Sequence, residues 1–218
     1  MMKLRVVLAD DHPFVLLGTR SALALHEDIM IVGEATNPAA SIELLQTVAC
    51  DVLVADLTMP DAAGAMDGGL RLVRRVRRDW PAVRVVVLTS LTNAAILRSV
   101  IADGAMGVLN KTAPMDELAA AIRCASIEHP HISLSVLDAL DEADGEPISI
   151  APSHCLSPRE AEMIGMLVRG QSISEIARVL GRDVRAVGRQ KRSVMIKLGV
   201  SNDSGLFAYF KAHGQSEN

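Results

Sequence analysis

Leu4-Arg5-Val6-Val7-Leu8-Ala9-Asp10-Asp11-His12-Pro13 is the stretch that decides the fold. An apolar run ends on two carboxylates, and Phe14–Leu25 follows with helical spacing. The same pattern recurs where Val52–Ala55 leads into Asp56, Val83–Leu88 into Thr89, and Ala105–Leu109 towards Lys111. Apolar runs alternating with helices mark a parallel sheet with crossover helices. The expected strands lie near residues 4–9, 29–34, 51–56, 83–88 and 105–109, and the expected helices near 14–25, 38–48, 69–79, 93–102 and 115–126. Asn37-Pro38 and Trp80-Pro81 mark turns, and Gly104 closes the fourth helix. The fold class is an α/β domain with a flavodoxin-like five-stranded parallel sheet, order 2-1-3-4-5, whose ligand edge lies beyond strands 1 and 3.

On that edge Asp10, Asp11, Asp56, Thr89 and Lys111 would meet. Each has an ordinary reading alone: the aspartates and Thr89 as helix caps or turn residues, Lys111 as a solvated lysine. Their joint occurrence at strand ends favours a site. Magnesium takes oxygen ligands, commonly one or two carboxylates with water and phosphate. Asp11 and Asp56 would supply carboxylates, and Asp10 would hold a metal-bound water. An ionised aspartate also accepts a phosphoryl group. The charge spread over the transferred oxygens calls for an ammonium group, Lys111, and a hydroxyl, Thr89.

Ala9-Asp10-Asp11-His12-Pro13, Asp56-Leu57-Thr58-Met59-Pro60, Thr89-Ser90 and Lys111 together resemble the receiver domain of bacterial two-component response regulators, over residues 3–127. The resemblance implies phosphorylation of Asp56 by a histidine kinase or phosphotransfer protein. It also implies a backbone ligand to Mg²⁺ at Thr58, and movement of Thr89 towards the phosphoryl group that rearranges the helix 4–strand 5 face. Three departures stand out. Val108 occupies the position of an aromatic switch, Thr112 stands where many receivers have proline after the lysine, and Asp61–Gly69 is longer than usual. That loop, with Asp67-Gly68-Gly69, is expected to be mobile.

The 218 residues, half of them apolar, suffice for two modest cores. No run reaches membrane-span length and no signal-peptide pattern opens the chain, so a cytoplasmic protein is expected. Cys50, Cys124 and Cys155 are scattered, the first two in expected helices, and read as small core residues. His129-Pro130-His131 reads as a solvated turn. Residues 157–218 hold ten Lys/Arg against six Asp/Glu, and the rest of the chain twelve against twenty. Only the second part should meet a polyanion. Between them, residues 128–155 carry Pro147, Pro152 and the acidic run Asp138–Glu146, and read as a linker in which Val136–Leu140 could form a helical turn. The expected domains are 1–127, then the linker 128–155, then 156–218.

Ser157-Pro158-Arg159-Glu160 and Ser172-Ile173-Ser174-Glu175 are capping boxes, and Gly181 closes the second helix. Asp183 can cap a third helix ending before Gly199, and Asp203 can start a fourth. Two helices joined by a glycine turn in a basic region read as helix-turn-helix, so a small all-α four-helix domain is expected. On helix 184–198, Val184, Val187, Val194 and Leu198 share one face, and Arg185, Arg189, Arg192 and Ile196 the opposite one. A solvated basic face is the ordinary alternative. The arginine concentration directly after the turn favours duplex DNA, with Arg185, Gly188, Arg189, Lys191 and Arg192 as contacts.

Leu156-Ser157-Pro158-Arg159-Glu160 and Lys197-Leu198-Gly199-Val200 resemble the LuxR-type effector domain of the NarL/FixJ response regulators. The long loop after Asp56, Gln190–Val200 and Asn202-Asp203 resemble, within that class, the regulators of capsule synthesis and envelope stress. The resemblance implies a homodimeric transcription regulator and not an enzyme. Dimer contacts would run through helices 1 and 5 or the helix 4–strand 5 face. Phe207, Tyr209 and Phe210 in the last helix are expected partly to complete the small core. A haloacid-dehalogenase-type phosphohydrolase would place Asp-x-Asp after its first strand, whereas here Asp56 follows the third. A ligand-sensing regulator would need more aromatics than Phe14 and Trp80 before residue 150. A regulator working unphosphorylated with an auxiliary partner shares every motif above and stays open on sequence.

Overall fold

The computed structural model describes residues 3–144 other than 62 and 66, residues 156–198 and 200, and residues 203, 206, 207, 209 and 210. The chain divides into two units, Met1–Pro147 and Ile148–Asn218. The first runs β1 (Leu4–Ala9), α1 (Pro13–Leu23), β2 (Ile29–Ala35), α2 (Pro38–Thr47), β3 (Val52–Ala55), α3 (Gly68–Asp79), β4 (Arg84–Thr89), α4 (Ala94–Ala102), β5 (Gly107–Asn110), α5 (Met115–Ser126), β6 (His131–Ile132) and α6 (Leu134–Asp144). All strands are parallel, in the order β2-β1-β3-β4-β5-β6. β3 is buried throughout, which is why Val52–Ala55 reads as an unbroken apolar run rather than an alternation. Leu8, Val54, Leu88, Leu109, Leu118 and Ile122 belong to the core between the sheet and the helices.

The sheet carries the expected order plus one strand more. Residues 128–155 read as a linker, yet their first half is built into the first unit. The His131 amide donates to Met106 O at 2.8 Å and the Ser133 amide to Val108 O at 2.9 Å. Val136, Leu137 and Leu140 of α6 are buried. A two-residue strand has no period to detect, and the flanking Pro130 and acidic residues imitate a tether. His131, read as part of a solvated turn, is fully buried, its Nε2 3.4 Å from Glu117 and its Nδ1 3.8 Å from the Cys124 sulfur. Gly145–Cys155, with Pro147 and Pro152, lie outside the described residues. Cys124 lies buried in α5, but Cys50 falls past the end of α2, where burial pushes its thiol up to about 11. Both fit the reading as unreactive filling.

The second unit runs α7 (Pro158–Val168), α8 (Ile173–Val179) and α9 (Val184–Lys197). Both capping boxes form: Ser157 accepts the Glu160 amide and Ser172 the Glu175 amide, and each glutamate accepts the serine amide in return. Such reciprocal caps satisfy backbone donors that a short helix otherwise leaves to water. Gly181, at φ +63, makes the turn, and Asp183 accepts the Arg185 amide at 2.8 Å. Met163, Ile164, Leu167, Ile176, Val187, Val194 and Leu206 form the core. Residues 203, 206, 207, 209 and 210 are helical; Tyr209 and Phe210 pack against that core and meet each other edge to face, while Phe207 is exposed. Gly199 and Asn202 lie outside the described residues.

Candidate functional site

Register sets the first site. Ala9 pairs with Ala55, Ala55 with Val87, and Thr89 with Asn110, so the residues next in chain emerge on one edge. Asp10 and Asp56 are buried, and Lys111 reaches between them, its Nζ 2.5 Å from Asp10 Oδ2 and 2.9 Å from Asp56 Oδ2. Burial alone would lower the Lys111 pKa, but hydrogen bonds and charge from Asp10 and Asp56 outweigh it and hold it above the ordinary value. The ammonium is therefore permanent. The Thr58 hydroxyl donates to Asp56 Oδ2 at 2.6 Å and its amide to Asp56 Oδ1 at 3.2 Å.

The capping alternatives fail. The N-cap of α1 is His12 and that of α4 is Asn93, so Asp10, Asp11 and Thr89 cap no helix. Thr89 is buried beside the cluster, where its hydroxyl accepts the Leu91 amide at 3.1 Å. Its place at the acidic edge follows from the strand end, where Thr89 pairs with Asn110.

Asp10, Asp11, His12 and Asp56 each bring one ligand atom to within 4.8 Å of the others. Asp11 Oδ1 is buried and accepts no hydrogen bond from the described residues; His12 Nδ1 lies 2.8 Å away but outside bonding direction. A buried carboxylate oxygen without a donor is costly unless a cation faces it. Together with an oxygen-rich donor set, it fits a magnesium ion. His12 and the Thr58 hydroxyl were missed in the sequence, although His12 stands directly beside the two aspartates.

In the loop after Met59-Pro60, the described residues make hydrogen bonds and ion pairs of their own. Asp61 Oδ1 accepts the Ala63 and Ala65 amides, each at 2.9 Å, and Arg71 spans Asp61 and Asp67. The Ala65 amide, against partial burial, holds the Asp61 carboxyl below its ordinary range. A Cβ on Gly69 would lie 2.2 Å from Asp56 O, and one on Gly68 2.6 Å from Met59 O. Those glycines seat α3 directly on the backbone that carries Asp56, a requirement hidden in a motif that reads only as flexible.

On α9, Val187, Val194 and Leu198 are buried as the helical period requires, and Arg185, Arg189 and Arg192 are exposed on the opposite side. Val184, expected inward, is 47% exposed. It is the first residue of the helix, after the Gly181 turn. Lys191, expected near phosphates, holds its Nζ 2.6 Å from Asp203. Ile196 has no described side chain.

The model for the response regulator receiver domain matches residues 6–123, and that for the bacterial regulatory proteins of the luxR family matches residues 154–210. The transcriptional regulatory protein RcsB of Escherichia coli K12 is 32% identical over 213 residues, 97% of this chain and 96% of its own. The transcriptional regulatory protein MctR of Rhizobium johnstonii is 30% identical over 212 residues, 97% of this chain and 95% of its own. Among solved structures, Salmonella typhimurium RcsB superposes with a TM-score of 0.61 at 32% identity, covering 97% of this chain and 100% of that one. An RcsB–DNA complex superposes at 0.60, also at 32% identity, covering 96% of this chain and 98% of that one.

Proposed function

The chain belongs to the response regulators that join a receiver domain to a LuxR-type DNA-binding domain, and is RcsB-like; from that premise we propose that phosphorylation of Asp56 switches its binding to promoter DNA. The observation that carries this is Lys111 clamped between Asp10 and Asp56 beside the donorless oxygen of Asp11. A sensor histidine kinase or phosphotransfer protein is the donor. One Asp56 oxygen attacks phosphorus, the P–N bond of the donor phosphohistidine breaks, and its electron pair returns to the imidazole, which takes a proton from water. An acyl phosphate remains on Asp56. Lys111, already desolvated and charged, faces the transferred oxygens without reorganisation. Thr58 and Thr89 offer hydroxyls at the same edge.

Asp10, Asp11, Asp56 and the Thr58 carbonyl would hold Mg²⁺, which neutralises charge on the phosphoryl oxygens when bound. Homodimers in the cytoplasm would then present two copies of α9 to two half-sites. Arg185, Arg189 and Arg192 contact the duplex with Gly188 between them. Lys191 joins them only if it releases Asp203. The regulator catalyses no turnover of its own.

Incubation with acetyl phosphate and Mg²⁺ should add one phosphoryl group per chain, read by intact-mass spectrometry. Asp56→Asn should add none, and Asp11→Ala should slow the addition. A fully phosphorylated Asp56→Asn protein refutes the assignment. Equal DNA occupancy by wild type and Asp56→Asn across the genome would favour the phosphorylation-independent regulator with an auxiliary partner.

A further inference from the structure

Val184 and Gly188 stand one helical turn apart on the same flank of α9, and neither is accounted for by the unit's own packing. Val184 is 47% exposed on a helix whose Val187 and Val194 are fully buried. Gly188 is not among the glycines with positive φ, so no unusual backbone torsion calls for it. A Cβ built there meets no atom of the described residues within 4 Å, so no close approach among them calls for it either. Glycine is the poorest helix former after proline, and among the described residues nothing offsets that. Gly69 is the contrast, since a Cβ there strikes backbone at 2.2 Å.

The missing side chain leaves a notch. The exposed Val184 forms one wall, and Arg185 and Arg192, both exposed, stand on the cationic side. A polyanion is therefore what comes close to it. The first turns of a recognition helix are the part that meets base edges. The major-groove edge of a duplex offers one apolar group, the 5-methyl of thymine.

We propose that the notch between Val184 and Gly188 receives a thymine methyl group, and so fixes one T·A pair in each operator half-site. The proposal rests on the DNA-binding reading and adds to it the residues that choose this base. Valine supplies the apolar contact, and glycine lets the base edge approach the helix axis. The neighbouring arginines supply attraction without selecting this position.

The test takes full-length protein phosphorylated with acetyl phosphate and operators selected from random duplex DNA. Each thymine of a half-site is replaced in turn by deoxyuridine, which lacks only the methyl. Wild type should bind about three- to five-fold more weakly at one position, the effect expected for losing one buried methyl contact. Val184→Ala should bind the two DNAs equally there. Gly188→Ala should raise the melting temperature of the second unit while weakening operator binding by about tenfold or more, as filling a tight contact does. Indifference of wild type to deoxyuridine at every position overturns the notch. So does discrimination that persists in Val184→Ala, or wild-type operator affinity in Gly188→Ala. If selection enriches no sequence at all, the DNA-binding reading itself fails, and the notch with it.

Discussion

Gly69 and Gly188 both lie in helices next to a proposed site, and their surroundings are opposite. A Cβ at Gly69 would be driven into the backbone of Asp56 and Leu57, whereas one at Gly188 would meet open space. The difference describes the two units. The acidic edge is assembled from residues far apart in sequence, and Lys111 stands between two of its buried carboxylates. The α9 face is one continuous segment, on which Arg185, Arg189 and Arg192 are exposed. A switch has to hold a reactive carboxylate in a fixed, desolvated setting; a reader has to leave its surface for the partner to complete.

The largest effect is expected at Lys111. Its ammonium lies 2.5 Å from the buried Asp10 carboxylate and 2.9 Å from that of Asp56. Removing one member of a buried pair typically costs ~3–5 kcal/mol, because the remaining charge is stranded. Lys111→Met should lose stability of about that size in chelator, measured by urea denaturation, and regain part of it in millimolar Mg²⁺. Unchanged stability in chelator would mean the acidic edge is compensated by something else. Absence of any magnesium rescue would count against Asp10, Asp11 and Asp56 as the ion's ligands.

How legible each unit was follows from the same contrast. Strand ends announce themselves because a parallel sheet demands unbroken apolar runs, so Asp10, Asp56 and Lys111 could be placed by counting. Contacts set by tertiary packing could not. The role of Gly68 and Gly69 depends on how closely α3 approaches residues 56–59, and β6 is too short to carry a period. The helical period predicted Val187, Val194 and Leu198 correctly and failed at Val184, the first residue of α9, because a period does not distinguish a helix end from its middle. The Lys191–Asp203 pair links residues in different elements and leaves no local trace.

Effects of intermediate size are expected on the outward face. Arg192→Ala should weaken operator binding by ~1–3 kcal/mol and relax preference at one base position if the guanidinium reads guanine. If it meets only phosphate, affinity should fall equally on operator and scrambled DNA, and the salt slope should drop by about one. Lys191→Ala should change either quantity less, since its ammonium is held by Asp203. Titrations of both variants at several salt concentrations separate these outcomes. An Arg192→Ala protein that binds both DNAs like wild type would close the face as a DNA surface.

The smallest effect belongs to a charge pair that is neither sealed nor a reader. Arg123 of α5 grips Asp28, ahead of β2, through two bonds of 2.7 and 2.8 Å, with both side chains about one third exposed. The Arg123 hydrogen bond, opposed by partial burial, lowers the Asp28 carboxyl from 3.8 to about 2. A carboxyl depressed in the folded state stabilises the fold at any pH above its unfolded value. That contribution fades as pH falls through about 3.8 towards 2, where the native carboxyl is protonated as well. Solvent screening keeps the contribution to at most ~1 kcal/mol. Urea denaturation of wild type and Asp28→Asn should therefore differ by that small margin near neutral pH, with the gap closing between pH 4 and pH 2. A gap constant over that interval would mean that Asp28 contributes shape and hydrogen bonding to the α5 contact, and not charge.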